Sequence, residues 1–162
     1  MKIALLSDIH DHIDNMLTAF HYALEKDCSH LLFMGDMESL STLSLMCEEW
    51  PHRADIVFGN NEYDLTSHLM LACGSRCTHH KHIGEVTLDG RRIIFSHYAQ
   101  KVYPAVLSGE YDAAFFGHTH RAEAYYSGHT LVANPGEVGG VRQAPSFAVY
   151  DTASNSVEFV AL

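Results

Sequence analysis

Basic residues are scarce in this chain. Ten lysines and arginines stand against twenty aspartates and glutamates, a formal net charge of −10. Duplex nucleic acid and anionic membranes are normally met with a basic face, and this sequence has no material for one. Long apolar runs are missing as well: none approaches the ~20 residues needed to cross a bilayer. The first apolar stretch turns polar at Ser7 and Asp8, too early for a secretion signal, so the cytoplasm is the expected compartment. Cysteine is limited to Cys28, Cys47, Cys73 and Cys77, with no Cys-x-x-Cys pair. Reduced, mostly buried thiols are expected rather than a disulfide framework. Cys73 and Cys77 precede His79, His80 and His82, a set that offers a small zinc site as the minor reading, its spacing being loose.

Linkers, low-complexity stretches and repeats are also lacking, so residues 1–162 are expected to form a single domain. A domain of about 150 residues buries roughly 70% of its unfolded surface, enough for a core without a disulfide or metal. Histidine, by contrast, is abundant, with thirteen in 162 residues. Neutral imidazole is the commonest metal ligand. A chain of net charge −10 that handles phosphates needs positive charge from elsewhere, and bound metal ions are a source of it.

The pattern alternates strands and helices. Residues 2–6 read as a buried strand. Ile13, Leu17, Phe20 and Leu24 recur at helical spacing. Strands are expected at 31–34 and 55–58. Between them Leu40, Leu43 and Cys47 share a helix face, which Pro51 stops. A short helix is expected over 64–72, ending near Gly74. From there the pattern changes. Strands at 86–88 and 92–95 flank Asp89-Gly90, a hairpin turn pair. A helix within 98–109 is followed by strands at 113–116, 122–127, 130–133, 146–150 and 157–161. The first half reads as a parallel βαβα unit and the second as hairpins. The expected fold is mixed α/β (α+β), two packed sheets with helices on the outer faces.

Five apolar strands each run directly into a residue able to bind metal. Ile3-Ala4-Leu5-Leu6 leads to Asp8 and His10, and Leu31-Leu32-Phe33-Met34 to Gly35-Asp36. Ile56-Val57-Phe58 leads to Gly59-Asn60, and Ile93-Ile94-Phe95 to Ser96-His97. Ala114-Phe115-Phe116 leads to Gly117-His118-Thr119-His120. Ligands of α/β sheets bind outside the carboxyl ends of strands, so neighbouring strands would bring these side chains to one edge. Taken singly each residue has a plainer role. Asp8 or Asp36 serves as a helix N-cap, Asn60 as a turn residue, and His97 as surface or core. Five such coincidences at the same end of successive strands are harder to accept than one site.

This constellation resembles the calcineurin-like metallophosphoesterase superfamily, whose ordered motifs are Asp-x-His, Gly-Asp, Gly-Asn, a lone His and Gly-His-x-His. Here they stand as Asp8-Ile9-His10, Gly35-Asp36, Gly59-Asn60, Ser96-His97 and Gly117-His118-Thr119-His120, with Asn134-Pro135-Gly136 similar to a further family turn. The short chain and early first motif look most like the small bacterial and archaeal phosphodiesterases. The resemblance implies a two-sheet sandwich in a four-layer arrangement with helices. It implies one metal held by Asp8, His10, Asp36 and His120, and a second held by Asp36, Asn60, His97 and His118, with Asp36 bridging. These seven are the expected catalytic and metal-ligating set, and no other cofactor is implied. Imidazole and carboxylate suit Mn, Ni, Co, Fe or Zn better than Mg or Ca. Two such ions activate a bridging hydroxide for in-line attack on phosphorus.

The expected activity is therefore metal-dependent hydrolysis of a small phosphate ester, most naturally a phosphodiester. Asn61 departs from the family, which often has His or Cys at that place to help protonate the leaving group. His12, Glu62 or Tyr98 are the candidates to replace it. Asp11 and Tyr98 stand where the family often has glycine. The alternatives are a protein-binding scaffold of the same fold with a degenerate site, or a metal- or nucleotide-binding module with little turnover. The oligomeric state is open, a homo-oligomer included.

Overall fold

The computed structural model describes residues 1–73 and 75–162. In chain order the elements are β1 (Lys2–Leu6), α1 (Ile13–Glu25), β2 (Cys28–Phe33), α2 (Leu40–Glu49) and β3 (Arg53–Ile56). There follow α3 (Leu65–Ala72), β4 (Cys77–His79), β5 (Ile83–Leu88), β6 (Arg91–Ser96) and α4 (Ala99–Ser108). The chain closes with β7 (Ala113–Phe115), β8 (Ala122–Ser127), β9 (Thr130–Pro135), β10 (Ser146–Asp151) and β11 (Ser156–Ala161). A six-stranded sheet has the order β11-β10-β1-β2-β3-β4, and a five-stranded sheet the order β5-β6-β7-β9-β8.

Side chains along a strand alternate between faces, and here both faces of the central strands are covered. Ile3 and Leu5 of β1 join Leu32, Phe95, Phe115 and Tyr150 between the two sheets. Ala4 and Leu6 face the other way, onto Met16 and Phe20 of α1 and Leu43 and Met46 of α2. On the far side of the second sheet Val102 and Val106 of α4 pack on Ile94, Ala114 and Phe116. The layers run helices, sheet, sheet, helix, as expected. The two-faced burial explains why these strands read as unbroken apolar runs. No helix among the described residues is long and apolar enough to cross a membrane.

Three details differ from the sequence reading. The strand expected at 55–58 forms two residues earlier, because its ladder partners are Ala54 to Ile56 against Cys77 to His79 of β4. That fourth strand is three residues long and polar, too short to leave a period. The second half is not all hairpins: β6 and β7 are parallel across α4, β7 and β9 are parallel, and the β10–β11 hairpin joins the first sheet beside β1. Asp64 caps α3 by accepting from Ser67 N at 3.1 Å. The helix ends at Ala72, where Cys73 N donates to Leu69 O at 3.1 Å; Gly74 itself lies outside the described residues.

Candidate metal centre

The residues after β1, β2, β3, β6 and β7 meet at one edge of the two sheets. Backbone bonds lock the loops together: Asp8 N to Gly35 O, His10 N to Asp36 O and Gly117 N to His97 O, each 3.0 Å. Five of the seven residues singled out in the sequence are left-handed, Asp8 (φ 56°), His10 (49°), Asp36 (62°), His118 (66°) and His120 (61°). Such backbones cost of order 1 kcal/mol each outside glycine and persist only where the surroundings over-determine them. Two glycines make the approach possible. A Cβ on Gly59 would fall on Asp36 Oδ1, and a Cβ on Gly117 on the Ser7 hydroxyl and beside Asp8 Oδ2.

The candidate side chains form two adjoining groups. In the first, Asp8 Oδ1 lies 3.4 Å from His120 Nε2 and 3.9 Å from His10 Nε2. In the second, His97 Nε2 lies 3.0 Å from Asn60 Oδ1 and 3.1 Å from His118 Nδ1. Asp36 stands between them, with Oδ2 3.7 Å from His10 Nε2 and Oδ1 3.6 Å from His97 Nε2. The closest metal-capable triplets are Asp8, His10, His120 and Asp8, Asp36, His97, so Asp8 also lies near both groups.

Outer contacts fix which imidazole nitrogen faces inward. Carboxylates and carbonyls only accept, so the ring nitrogen against them carries the hydrogen. His10 Nδ1 donates to Glu38 at 2.7 Å, His120 Nδ1 to Glu137 at 2.8 Å and His97 Nδ1 to Met34 O at 2.7 Å. Each leaves an Nε2 lone pair pointing into the site. Metal-bound histidines are typically oriented in this way.

The donor set fits divalent cations on two observations. Asp8 Oδ1 and His10 Nε2 are buried without any hydrogen-bond partner, which is costly unless something positive meets them. In the second group, His97 Nε2 and Asn60 Oδ1 face each other at 3.0 Å as two acceptors, with His118 Nδ1 3.1 Å from the same nitrogen. A proton on His97 does not resolve this, because burial pushes its pKa down to about 4 despite the nearby Asp36 carboxylate. Burial likewise pushes Asp8 up to about 6, against the Ser7 hydroxyl and His120, which favour its charged form. A cation satisfies all of these atoms together.

The model for the calcineurin-like phosphoesterase superfamily domain matches residues 1–155. The chain belongs to the calcineurin-like phosphoesterase superfamily. As a member it is a hydrolase of phosphate esters, and the family implies divalent metal. It is 29% identical over 170 residues to a protein named as a phosphodiesterase in Methanocaldococcus jannaschii, covering 94% of this chain and 93% of that one. Among solved structures, an archaeal phosphodiesterase superposes with a TM-score of 0.89 at 25% identity, covering both chains fully. Vps29 from Chaetomium thermophilum superposes at 0.71 with 16% identity, over 100% of this chain and 96% of that one, a likeness of fold alone.

All seven residues singled out in this phosphoesterase, Asp8, His10, Asp36, Asn60, His97, His118 and His120, lie at the same edge. The candidate proton donors fare differently. Glu62 is buried, and its two oxygens accept from Met37 N and Gly59 N at 2.7 Å each, so it clamps two loops together. His12 is the N-cap residue of α1. The Tyr98 hydroxyl is 3.3 Å from Asn60 Oδ1, with its ring against His97 and His118. Asn61 donates its side-chain amide to Asp36 Oδ2 at 2.7 Å and its backbone N–H to Oδ1 at 3.0 Å.

Sequence reasoning missed Glu38 and Glu137. In an acidic chain nothing marks two carboxylates that turn inward. Glu137 follows the Asn134-Pro135-Gly136 turn, and it also accepts from the backbone N–H groups of Val141, Arg142 and Gln143. Asn134 ties Gly117 O at 3.0 Å and the Thr119 hydroxyl at 2.9 Å, shaping the loop that carries His118 and His120. The Cys73, Cys77, His79, His80 and His82 set is not gathered. His80 donates to Asp55, Cys77 faces Cys47, and Cys73 is exposed.

Proposed function

We propose that the chain is a dinuclear metal-dependent phosphodiesterase. One divalent cation is assigned to Asp8, His10, Asp36 and His120, and the other to Asp36, Asn60, His97 and His118. Mn is the first choice, with Ni, Co, Fe and Zn suited to the same donors. The observation that carries this reading is the approach of His97 Nε2, whose ring hydrogen sits on Nδ1 against Met34 O, to the Asn60 amide oxygen at 3.0 Å, acceptor against acceptor, with His118 Nδ1 3.1 Å from the same nitrogen. Asp36 is assigned the bridge because its two oxygens face His10 on one side and His97 on the other.

When bound, the two cations lower the pKa of a water for in-line attack on phosphorus and neutralise the phosphoryl oxygens. The chain supplies the geometry. Glu38, Glu137 and the Met34 carbonyl hold three imidazoles at fixed angles. Asn61 and the backbone at 60–61 hold the Asp36 carboxylate. Tyr98 leans over the second group with a phenol hydroxyl that can donate to a substrate oxygen.

The test is hydrolysis of a bis-nitrophenyl phosphodiester by protein stripped with chelator and then given Mn. Turnover that vanishes on stripping and returns with Mn supports the reading. Full turnover in verified metal-free protein contradicts it. No turnover in metal-loaded protein favours the alternatives, a protein-binding scaffold or a binding module.

A further inference from the structure

Away from the strand ends, one pair of nucleophilic side chains is placed for chemistry. Cys47 lies in the last turn of α2 and Cys77 opens the edge strand β4, thirty residues further on. Their sulfurs stand 2.7 Å apart, closer than non-bonded sulfur atoms pack. The Ser75 hydroxyl lies 3.5 Å from Cys47 Sγ and also accepts from Cys77 N at 3.0 Å, so it sits between the two residues. Cys77 is buried, whereas Cys47 is half-buried, so a small oxidant reaches Cys47 first. We propose that Cys47 and Cys77 form a reversible oxidation site that cross-links α2 to β4 in response to a peroxide.

Several features give the pair its direction. The contact with Cys77 and the Ser75 hydroxyl favour the thiolate of Cys47, outweighing its burial, while Cys77 is held protonated. A thiolate that is accessible and has a second thiol beside it is the arrangement of an attacking and a resolving cysteine. Metal binding does not account for the pair, since no third ligand joins it among the described residues.

The chemistry balances with hydrogen peroxide as the oxidant. The Cys47 thiolate attacks one peroxide oxygen, the O–O bond breaks, and Cys47 becomes a sulfenic acid as the departing hydroxide takes up a proton. Cys77 sulfur then attacks Cys47 sulfur, the S–O bond breaks, and a second water leaves with the Cys77 proton. Two thiols lose two hydrogens, and one peroxide becomes two waters.

The experiment treats the full chain with graded hydrogen peroxide, alkylates remaining thiols and maps peptides without reduction. The expected result is a Cys47–Cys77 cross-linked peptide, lighter by two hydrogens than the separate peptides, with Cys28 still alkylated. Reductant should remove the cross-link, and C73S should form it unchanged. The oxidised wild type should melt several degrees higher than the reduced form, a gain that C47S lacks, because the bridge closes a long loop. Oxidation of Cys73 alone, or cross-links that join Cys73 instead, would overturn the proposal. So would Cys47 and Cys77 remaining thiols at peroxide levels that oxidise Cys73. Wild-type mapping needs no variant, so a poorly folded C47S would not obscure the answer.

Discussion

Glu137 is a carboxylate with no exposure to solvent whose partners are one imidazole and three backbone amides. Losing one such outer partner of a metal-bound histidine typically costs about 10–100-fold in metal affinity. Glu137→Gln should therefore weaken one of the two proposed Mn sites by about that factor, read by competition with a metal-binding dye. Unchanged affinity would mean that His120 is oriented by packing alone, or that it is not a ligand. Asn61 gives a second expectation. Its amide donates to Asp36 and, being a carboxamide, is not acidic enough to protonate a leaving oxygen. A well-placed general acid is worth about 10²–10⁴-fold, and an alkoxide needs that proton far more than a nitrophenolate does. The wild type should strongly prefer nitrophenyl esters. Asn61→His should shift the kcat/KM ratio toward an alkyl ester. Taking the ratio within one protein cancels the metal occupancy lost with the bond to Asp36. Equal kcat/KM for both esters in the wild type would point to another donor, and Tyr98 is the hydroxyl in place.

At the scale of elements, β3 carries an aspartate into the space between the sheets. Asp55 is 8% exposed and accepts from His30 Nε2 on β2 and from His80 Nε2 just beyond β4, each at 2.6 Å. Burial pushes its pKa up, but the two hydrogen bonds and the nearby imidazole charge win and hold it at about 2, below its ordinary 3.8. The folded state thus favours the ionised form. Its contribution, about 2 kcal/mol, is present above pH ~4 and is lost as pH falls toward 2. Asp55→Asn should lower the free energy of unfolding by about that amount at pH 7, and the gap to wild type should close near pH 2. Denaturant titrations at the two pH values check this, and a gap that stays constant would contradict it. This cluster also shows what the sequence concealed. The strand ends were legible because each couples an apolar run of three or four residues to a metal-capable residue. β4 was not, since Cys77-Thr78-His79 has no apolar period, and it forms only because β3 offers an edge. The start of β3 was placed two residues late because Asp55 interrupts the apolar pattern at a place where the fold, through His30 and His80, satisfies it. Glu38 and Glu137 were illegible for a related reason: a carboxylate that orients a histidine looks in sequence like any other acidic residue.

For the whole molecule, the two sheets matter because neither holds the site alone. Asp8, Asp36 and Asn60 come from the ends of β1, β2 and β3, whereas His97 and His118 come from β6 and β7. The bond from His118 N to Asp8 Oδ2 at 3.0 Å crosses between them. A chain of net charge −10 then gathers buried carboxylates at the junction, an arrangement that bound cations relieve. Cations that bind the folded state alone stabilise it in proportion to the logarithm of their concentration over Kd. Mn should raise the melting temperature steadily with concentration, and chelator should lower it. The proposed function requires the junction to hold two cations bridged by Asp36. Its most direct test is elemental analysis of Mn per chain after equilibrium dialysis, for the wild type and for Asp36→Asn. Two Mn per wild-type chain are expected, with loss from both sites in Asp36→Asn at the concentration that saturates the wild type. One Mn or none in the wild type, or two retained with unchanged affinity in Asp36→Asn, would contradict it.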